Sequence, residues 1–317
     1  MKKVFFAAVF AGVLLGFTSC GNWEAAADPE TETAIDSIGE TQGSRATEET
    51  TAGVTEAVEL PTQAGITEDQ SSTQESGQVQ FTIEDHAGSS DPEDKTRDYK
   101  YSYQKVTVMI PGNPTAQEKI QKDLDEYVDD FAEGIQTGDF GTLYEDMPVY
   151  VQSYEDITFY VIRADDKVIS VVWGNEGYDQ GAHGWYIQDY RNYYTQTGEK
   201  ITFDSLGNSF RDKALELVTK KAAEMQATDD CFFPDYEKSI KLVVLDGTEN
   251  MDTIYQEIYG ADIAGTGNGP ASPTFSITGD GFVFESGQYV LQPYAVGIVD
   301  FEIPAEDFGD ALTADIF

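Results

Sequence analysis

Between residues 99 and 110 apolar side chains take every second position, Tyr101 and Tyr103 followed by Val106, Val108 and Ile110, until Pro111 and Gly112 end the run. Alternation with period two, closed by a turn pair, predicts a strand. The period then changes. Ile120, Leu124, Tyr127, Val128, Phe131 and Ile135 recur three or four residues apart, the stripe of an amphipathic helix. Asn113 ahead of Pro114 supplies an N-cap and a first-turn proline, with Thr115 to Glu118 an alternative capping box one step on. Asp123, Glu126, Asp129 and Asp130 fall largely off the stripe and read as its solvated side.

Residues 149–162 read as a second strand, joined through the polar turn Ala164-Asp165-Asp166-Lys167 to another over 168–173, a β-hairpin. The most distinctive stretch follows, over 178–203. It holds Gly181-Ala182-His183-Gly184, a strand rich in Trp185, Tyr186, Ile187, Tyr190, Tyr193 and Tyr194, and the turn Gln196-Thr197-Gly198-Glu199. A second helix is predicted from Phe210 through Met225. Residues 227–272 carry less pattern: 242–245 fits a short strand, 251–258 a helix, and 260–273 a Gly-rich loop. Period two returns at 274–278 and 282–285 across the turn Gly279-Asp280-Gly281, and again at 296–303 before Pro304, with a short helix over 305–312. Hairpin-linked strands with two main helices on one side predict an α+β fold with a largely antiparallel sheet.

The first 98 residues behave differently. Lys2 and Lys3 precede an apolar run over 4–17, too short to span a bilayer but fitting a secretory signal, which ends in Phe17-Thr18-Ser19-Cys20-Gly21. That ending resembles a bacterial lipobox, with Phe17 in place of the usual leucine. The resemblance implies a signal peptide over 1–19 and lipidation of Cys20, and so a protein anchored at the outer face of the cytoplasmic membrane or in the cell envelope. From 20 to 98 Thr, Glu, Ser and Gln dominate, a composition that cannot bury enough surface to repay ordering, so an extended disordered tether is expected. His86 falls in this acidic segment and reads as a solvated side chain. The remaining 219 residues, 99–317, are enough for one large domain or two small intertwined ones.

Charge narrows the partners. The chain carries 58 acidic and 19 basic residues, and 99–317 alone carry 39 and 14. This balance argues against nucleic acid, whose phosphates need lysine and arginine, and disfavours an anionic membrane surface. A charged partner would be cationic, such as a basic protein. Cys20 and Cys231 are the only cysteines, and with Cys20 lipidated there is no disulfide; Cys231 beside Phe232 and Phe233 reads as a structural thiol.

His183 is the only histidine of 99–317. Catalysis would require Asp179, Asp189 or Glu176 within hydrogen-bond reach. The glycines beside it favour a structural role instead, with the ring bonded to a carbonyl or a tyrosine hydroxyl. No GxSxG, HExxH, phosphate-loop or dinucleotide motif accompanies it, and no His or Cys cluster suits a metal, so no catalytic residue, metal or cofactor is assigned. The 39 acids leave a glycosidase-like carboxylate pair open. His183, Trp185, Tyr186 and Tyr190 are the candidate binding residues, since clustered aromatics suit an interface or a sugar-stacking surface.

Several pieces taken together resemble the RsiV-like extracellular family: Gly181 to Gly184, Tyr193-Tyr194 ahead of Thr197 to Ile201, Phe275 to Phe284 around Gly281, and Tyr289 followed by Pro293-Tyr294-Ala295-Val296-Gly297. The resemblance covers essentially all of 99–317. It makes Gly181, Gly184, Gly198, Gly281, Pro293 and Tyr294 the structural motif positions. The family includes the lysozyme-binding outer domain of a membrane anti-sigma factor and the N-terminal module of a peptidoglycan deacetylase. The resemblance therefore implies a two-part α+β module, its intertwined portions 99–167 and 168–317, that binds lysozyme, another cationic protein or peptidoglycan. Neither a cytoplasmic anti-sigma segment nor a deacetylase domain is recognisable here, so the module alone carries over. An envelope hydrolase using His183 and nearby carboxylates is the alternative.

Overall fold

The structure, a computed structural model, describes residues 78–89, 99–137, 153–178, 182–260 and 271–317. The signal peptide, Cys20, most of the tether, Asp179 and Gly181 lie outside the described residues. Two sheets organise the rest. The first has five strands in the order β1 (Gln80–Ser89), β2 (Tyr99–Met109), β3 (Ser153–Ala164), β4 (Val168–Tyr178) and β5 (Trp185–Tyr194). The second has three: β6 (Phe275–Ile277), β7 (Gly281–Ser286) and β8 (Val299–Pro304). Helix α1 (Pro114–Thr137) belongs with the first sheet; α2 (Phe203–Leu206), α3 (Phe210–Asp229) and α4 (Met251–Tyr259) follow β5. This is the expected α+β class, with three departures.

The first is β1. Residues 80–89 pair antiparallel with β2 along their whole length, where the composition had pointed to tether. Phe81 packs its ring 5.6 Å from Phe159, and His86 stacks on Tyr103 at 4.9 Å, so His86 lies on a strand and not in a solvated loop. Of its large apolar side chains Phe81 packs against the core while Ile83 stays exposed, too little to stand out among Thr, Glu and Ser.

The second departure is that β2 and β3 run parallel, over Tyr99 to Tyr103 against Ser153 to Ile157. Past that point they part, and side chains take over from the ladder. Gln104 Oε1 accepts from Phe159 N at 2.8 Å. From α1, Gln121 accepts from Val108 N at 2.9 Å and donates to Val106 O at 2.7 Å, while Gln117 accepts from Ile110 N at 3.0 Å. The two α1 glutamines give β2 the partners a neighbouring strand would supply, and Gln104 of β2 does the same for β3. The Asn113 cap forms as expected, with its Oδ1 accepting from Ala116 N at 3.2 Å.

The third departure is that the two main helices do not share one sheet. The α1 stripe, Ile120, Leu124, Val128 and Phe131, packs on Val106, Val108, Ile157, Phe159, Ile169, Val171 and Trp173 of the first sheet. Phe210, Ala214, Val218 and Ala222 of α3 pack on Phe275, Phe282, Phe284 and Phe301 of the second. The portions divided at 167/168 share one sheet, since that point is the turn of the β3–β4 hairpin. Residues 242–245 are not a strand: Leu242 ends a 3-10 turn (Tyr236–Leu242), and Val243, Val244 and Leu245 are buried in the chain beyond it.

The sheets meet at an edge. β6 lies at the border of its sheet, and its outward backbone groups bond to side chains of the first sheet: Asn192 Nδ2 donates to Phe275 O at 2.9 Å, and Ile277 N donates to Ser170 Oγ at 3.1 Å. Ser170 and Asn192 bond to each other at 2.7 Å, so an edge that would otherwise leave polar groups stranded is satisfied.

Candidate functional site

Alternation along β5 divides its side chains. Trp185, Ile187, Asp189, Arg191 and Tyr193 share one face, and Tyr186, Gln188, Tyr190, Asn192 and Tyr194 the other. On the first face Tyr193 and Arg191 reach α1, where Asp123 Oδ2 accepts from Tyr193 Oη at 2.7 Å and Asp123 Oδ1 sits 2.6 Å from Lys200 Nζ. Arg191 Nε lies 2.7 Å from Asp189, and its guanidinium stands over Tyr127, itself stacked on the buried Trp173. Burial pushes Asp189 up even beside Arg191, whereas Arg191, Lys200 and Tyr193 outweigh burial at Asp123 and hold it below the usual carboxylate range.

His183 stands just ahead of β5 and is exposed. Its Nδ1 lies 2.8 Å from Gly184 O, which can only accept, so Nδ1 carries the proton. Nε2 lies 2.7 Å from Tyr289 Oη, within hydrogen-bond distance. Its ring stacks on Tyr294, with centroids 3.6 Å apart and planes 17° from parallel. Tyr289 has φ 64°, left-handed backbone that a bulky residue adopts only when its surroundings hold it there, and it keeps 46% of its surface exposed. The loop is held by Gln292, fully buried, whose amide accepts from Ser286 Oγ and donates to Ser286 O and Gly297 O at 2.8–2.9 Å.

Beside this platform β3 and β4 set two carboxylates against each other, for Asp156 and Glu176 are register partners on one face of the sheet. Ser102 Oγ donates to Asp156 at 2.5 Å; among the described residues neither acid forms an ion pair. Burial and Asp156 push Glu176 up, and partial burial, Glu176, Asp156 and Tyr294 push the exposed Tyr154 up. Like charges directly opposite across strands cost roughly 0.2–1 kcal/mol. A cation brought between them would remove that cost.

The sequence candidates separate accordingly. His183 and Tyr294 touch, and Gly184 lets the β4 and β5 backbones close, since a Cβ there would sit 2.9 Å from Gly177 O. Trp185 covers Gly177 on the face opposite Tyr186. Tyr186 is half-buried with its hydroxyl pushed up to about 12, chiefly by burial. Tyr190 is buried between the sheets, bonded to Glu285 at 2.8 Å, and offers no surface to a ligand. Gly198 takes φ 69° against α1, where a Cβ would lie 2.6 Å from Ala116 O, and Gly281 would lie 2.3 Å from Ile303 O. Pro293 is extended at φ −63° and starts the 3-10 turn that carries Tyr294. Of the carboxylates considered for catalysis with His183, Asp189 is engaged by Arg191, and both His183 nitrogens are occupied. Tyr154, Asp156 and Gln292 were not singled out as site residues, and only strand register and burial bring them in; Glu176, considered as a partner of His183, faces Asp156.

The geometry defines an α+β module with an aromatic platform at the junction of its two sheets. No family model matches the chain, and no curated protein matches it. Likeness to solved structures is found instead. A member of the DUF3298 family from Bacteroides fragilis superposes with a TM-score of 0.50 at 12% identity, over 76% of this chain and 96% of that one. A DUF3298 family protein from Pseudomonas aeruginosa gives 0.47 at 12% identity, over 75% and 95%. DUF3298 is the family of the RsiV-like modules. At such identity the Bacteroides likeness speaks for the fold alone.

Proposed function

We propose that this is a non-enzymatic binding module, lipid-anchored through Cys20 outside the cell, that recognises a cationic protein of the lysozyme kind. The observation that carries the reading is the platform of His183, Tyr289 and Tyr294 beside the Asp156–Glu176 couple, which forms no ion pair among the described residues. Planar rings supply contact area at low entropic cost, and facing carboxylates suit a lysine or arginine of the partner. The 39 acidic against 14 basic residues of 99–317 would raise the encounter rate with such a partner. Against hydrolysis that uses His183 as the base stands the occupation of both its ring nitrogens.

Calorimetric titration with a basic lysozyme at two salt concentrations, with an acidic protein of similar size as control, tests the reading. Saturable binding that weakens as salt rises is the expected result. Tyr289→Ala and Tyr294→Ala should each weaken it tenfold or more, about 1.4 kcal/mol, while Glu176→Gln should mainly reduce the salt dependence. Binding to peptidoglycan fragments that ignores salt, without binding to the protein, would replace this reading with wall-glycan recognition.

A further inference from the structure

Between the sheets lies a polar chain that the binding platform does not use. Glu285 of β7 is 6% exposed, and its Oε2 lies 2.8 Å from Tyr190 Oη of β5. The same hydroxyl contacts Gln188 Oε1, and Gln188 Nε2 donates to Tyr186 Oη at 3.0 Å. Tyr190 has one hydrogen and two oxygens competing for it. A proton on Glu285 resolves the competition. The carboxylic acid donates to Tyr190, Tyr190 to Gln188, and the Gln188 amide to Tyr186, each link with one donor and one acceptor.

Turning the Gln188 amide end for end would let the chain run the other way from an ionised Glu285. That arrangement buries a charge on a single side-chain hydrogen bond, with no ion pair to it among the described residues. It also sets the charge opposite Asp300, its register partner on β8, with Glu302 two residues along the same strand. The titratable groups facing Glu285 are thus Tyr190 and Tyr186 from β5 and Asp300 from β8, none of which supplies positive charge. The cost of an unpaired buried charge far exceeds that of a protonated acid.

We propose that Glu285 is protonated in the folded protein and acts as a proton-dependent latch between the two sheets, which opens when alkali removes the proton to solvent base. Burial, and next in size the Tyr190 bond acting against it, leave the Glu285 carboxyl pushed up to about 8. The latch lies where it matters for the platform. β7 runs directly into the loop bearing Tyr289, and Gln288 Oε1 of that loop accepts from Tyr186 N at 3.3 Å.

The sign of the linkage follows from the raised value. Folded protein holds a proton on Glu285 over a range in which the unfolded chain has lost it. The folding constant therefore falls as pH rises, by up to tenfold per unit from about 4.5 toward about 8, and is flat above.

The test uses the full chain. Infrared spectra near neutral pH should contain a protonated-carboxyl C=O band that disappears above about pH 9. Tyr190→Phe should shift that band, because it removes the hydroxyl to which the acid donates, and a shift excludes Asp189 as the source. E285Q should abolish the band and flatten the fall of the folding constant between about 4.5 and about 8. If E285Q fails to fold, the wild-type and Tyr190→Phe spectra still decide. Absence of the band at neutral pH, its indifference to Tyr190→Phe, or its persistence well above pH 9 each overturns the latch.

Discussion

Single side chains hold the platform in place. Tyr289 adopts a backbone conformation that costs a non-glycine residue of order 1–3 kcal/mol, and Gln292 secures the loop on either side of it. Replacing Gln292 with leucine would strand the carbonyls of Ser286 and Gly297 and the Ser286 hydroxyl in a fully buried site. We expect Gln292→Leu to lower stability by about 2–4 kcal/mol, seen as a reduced urea midpoint with unchanged slope. The sequence named His183 and Tyr294 without bringing them together. The 3.6 Å stacking joins residues 111 positions apart, and no local pattern encodes such a contact. His183 nevertheless has the kind of partners its flanking glycines suggested, a backbone carbonyl and a tyrosine hydroxyl.

At the level of elements, α1 is bound to its sheet by charge as well as by its apolar stripe. Arg191→Leu would leave Asp189 buried without its cation and deprive Asp123 of one of its two. A loss of about 3–5 kcal/mol at neutral pH is expected, measured by denaturant unfolding. Its pH dependence has a definite sign. The depressed Asp123 stabilises the fold above the ordinary carboxylate range, and that contribution fades as pH falls through its folded value. The raised Asp189 becomes cheaper to bury when protonated, so variant and wild type should converge in acid. Periodicity had identified α1 and its Asn113 cap correctly. It assigned Asp123 to the solvated side because it sees one helix at a time, whereas Asp123 is pinned between α1 and β5 by Arg191, Lys200 and Tyr193.

Over the whole molecule, β1 extends the folded region ahead of residue 99. In the full chain, Phe81→Ala should cost about 1–2 kcal/mol in thermal or urea unfolding, since Phe81 is half-buried against Phe159; a tether residue would give a change near zero. What the sequence determined by itself was the class of fold, most strands and helices, the caps and turns, and the strong negative charge. Those follow from side-chain period and local backbone preference, properties of neighbouring residues. Tertiary structure alone decided the parallel β2–β3 pairing, the division into two sheets each with its own helix, and the burial of Tyr190 against Glu285. It alone set His183 and Tyr294 beside Asp156 and Glu176. These depend on which distant strands share an edge, and an alternating pattern tells which residues share a face but not what that face will meet.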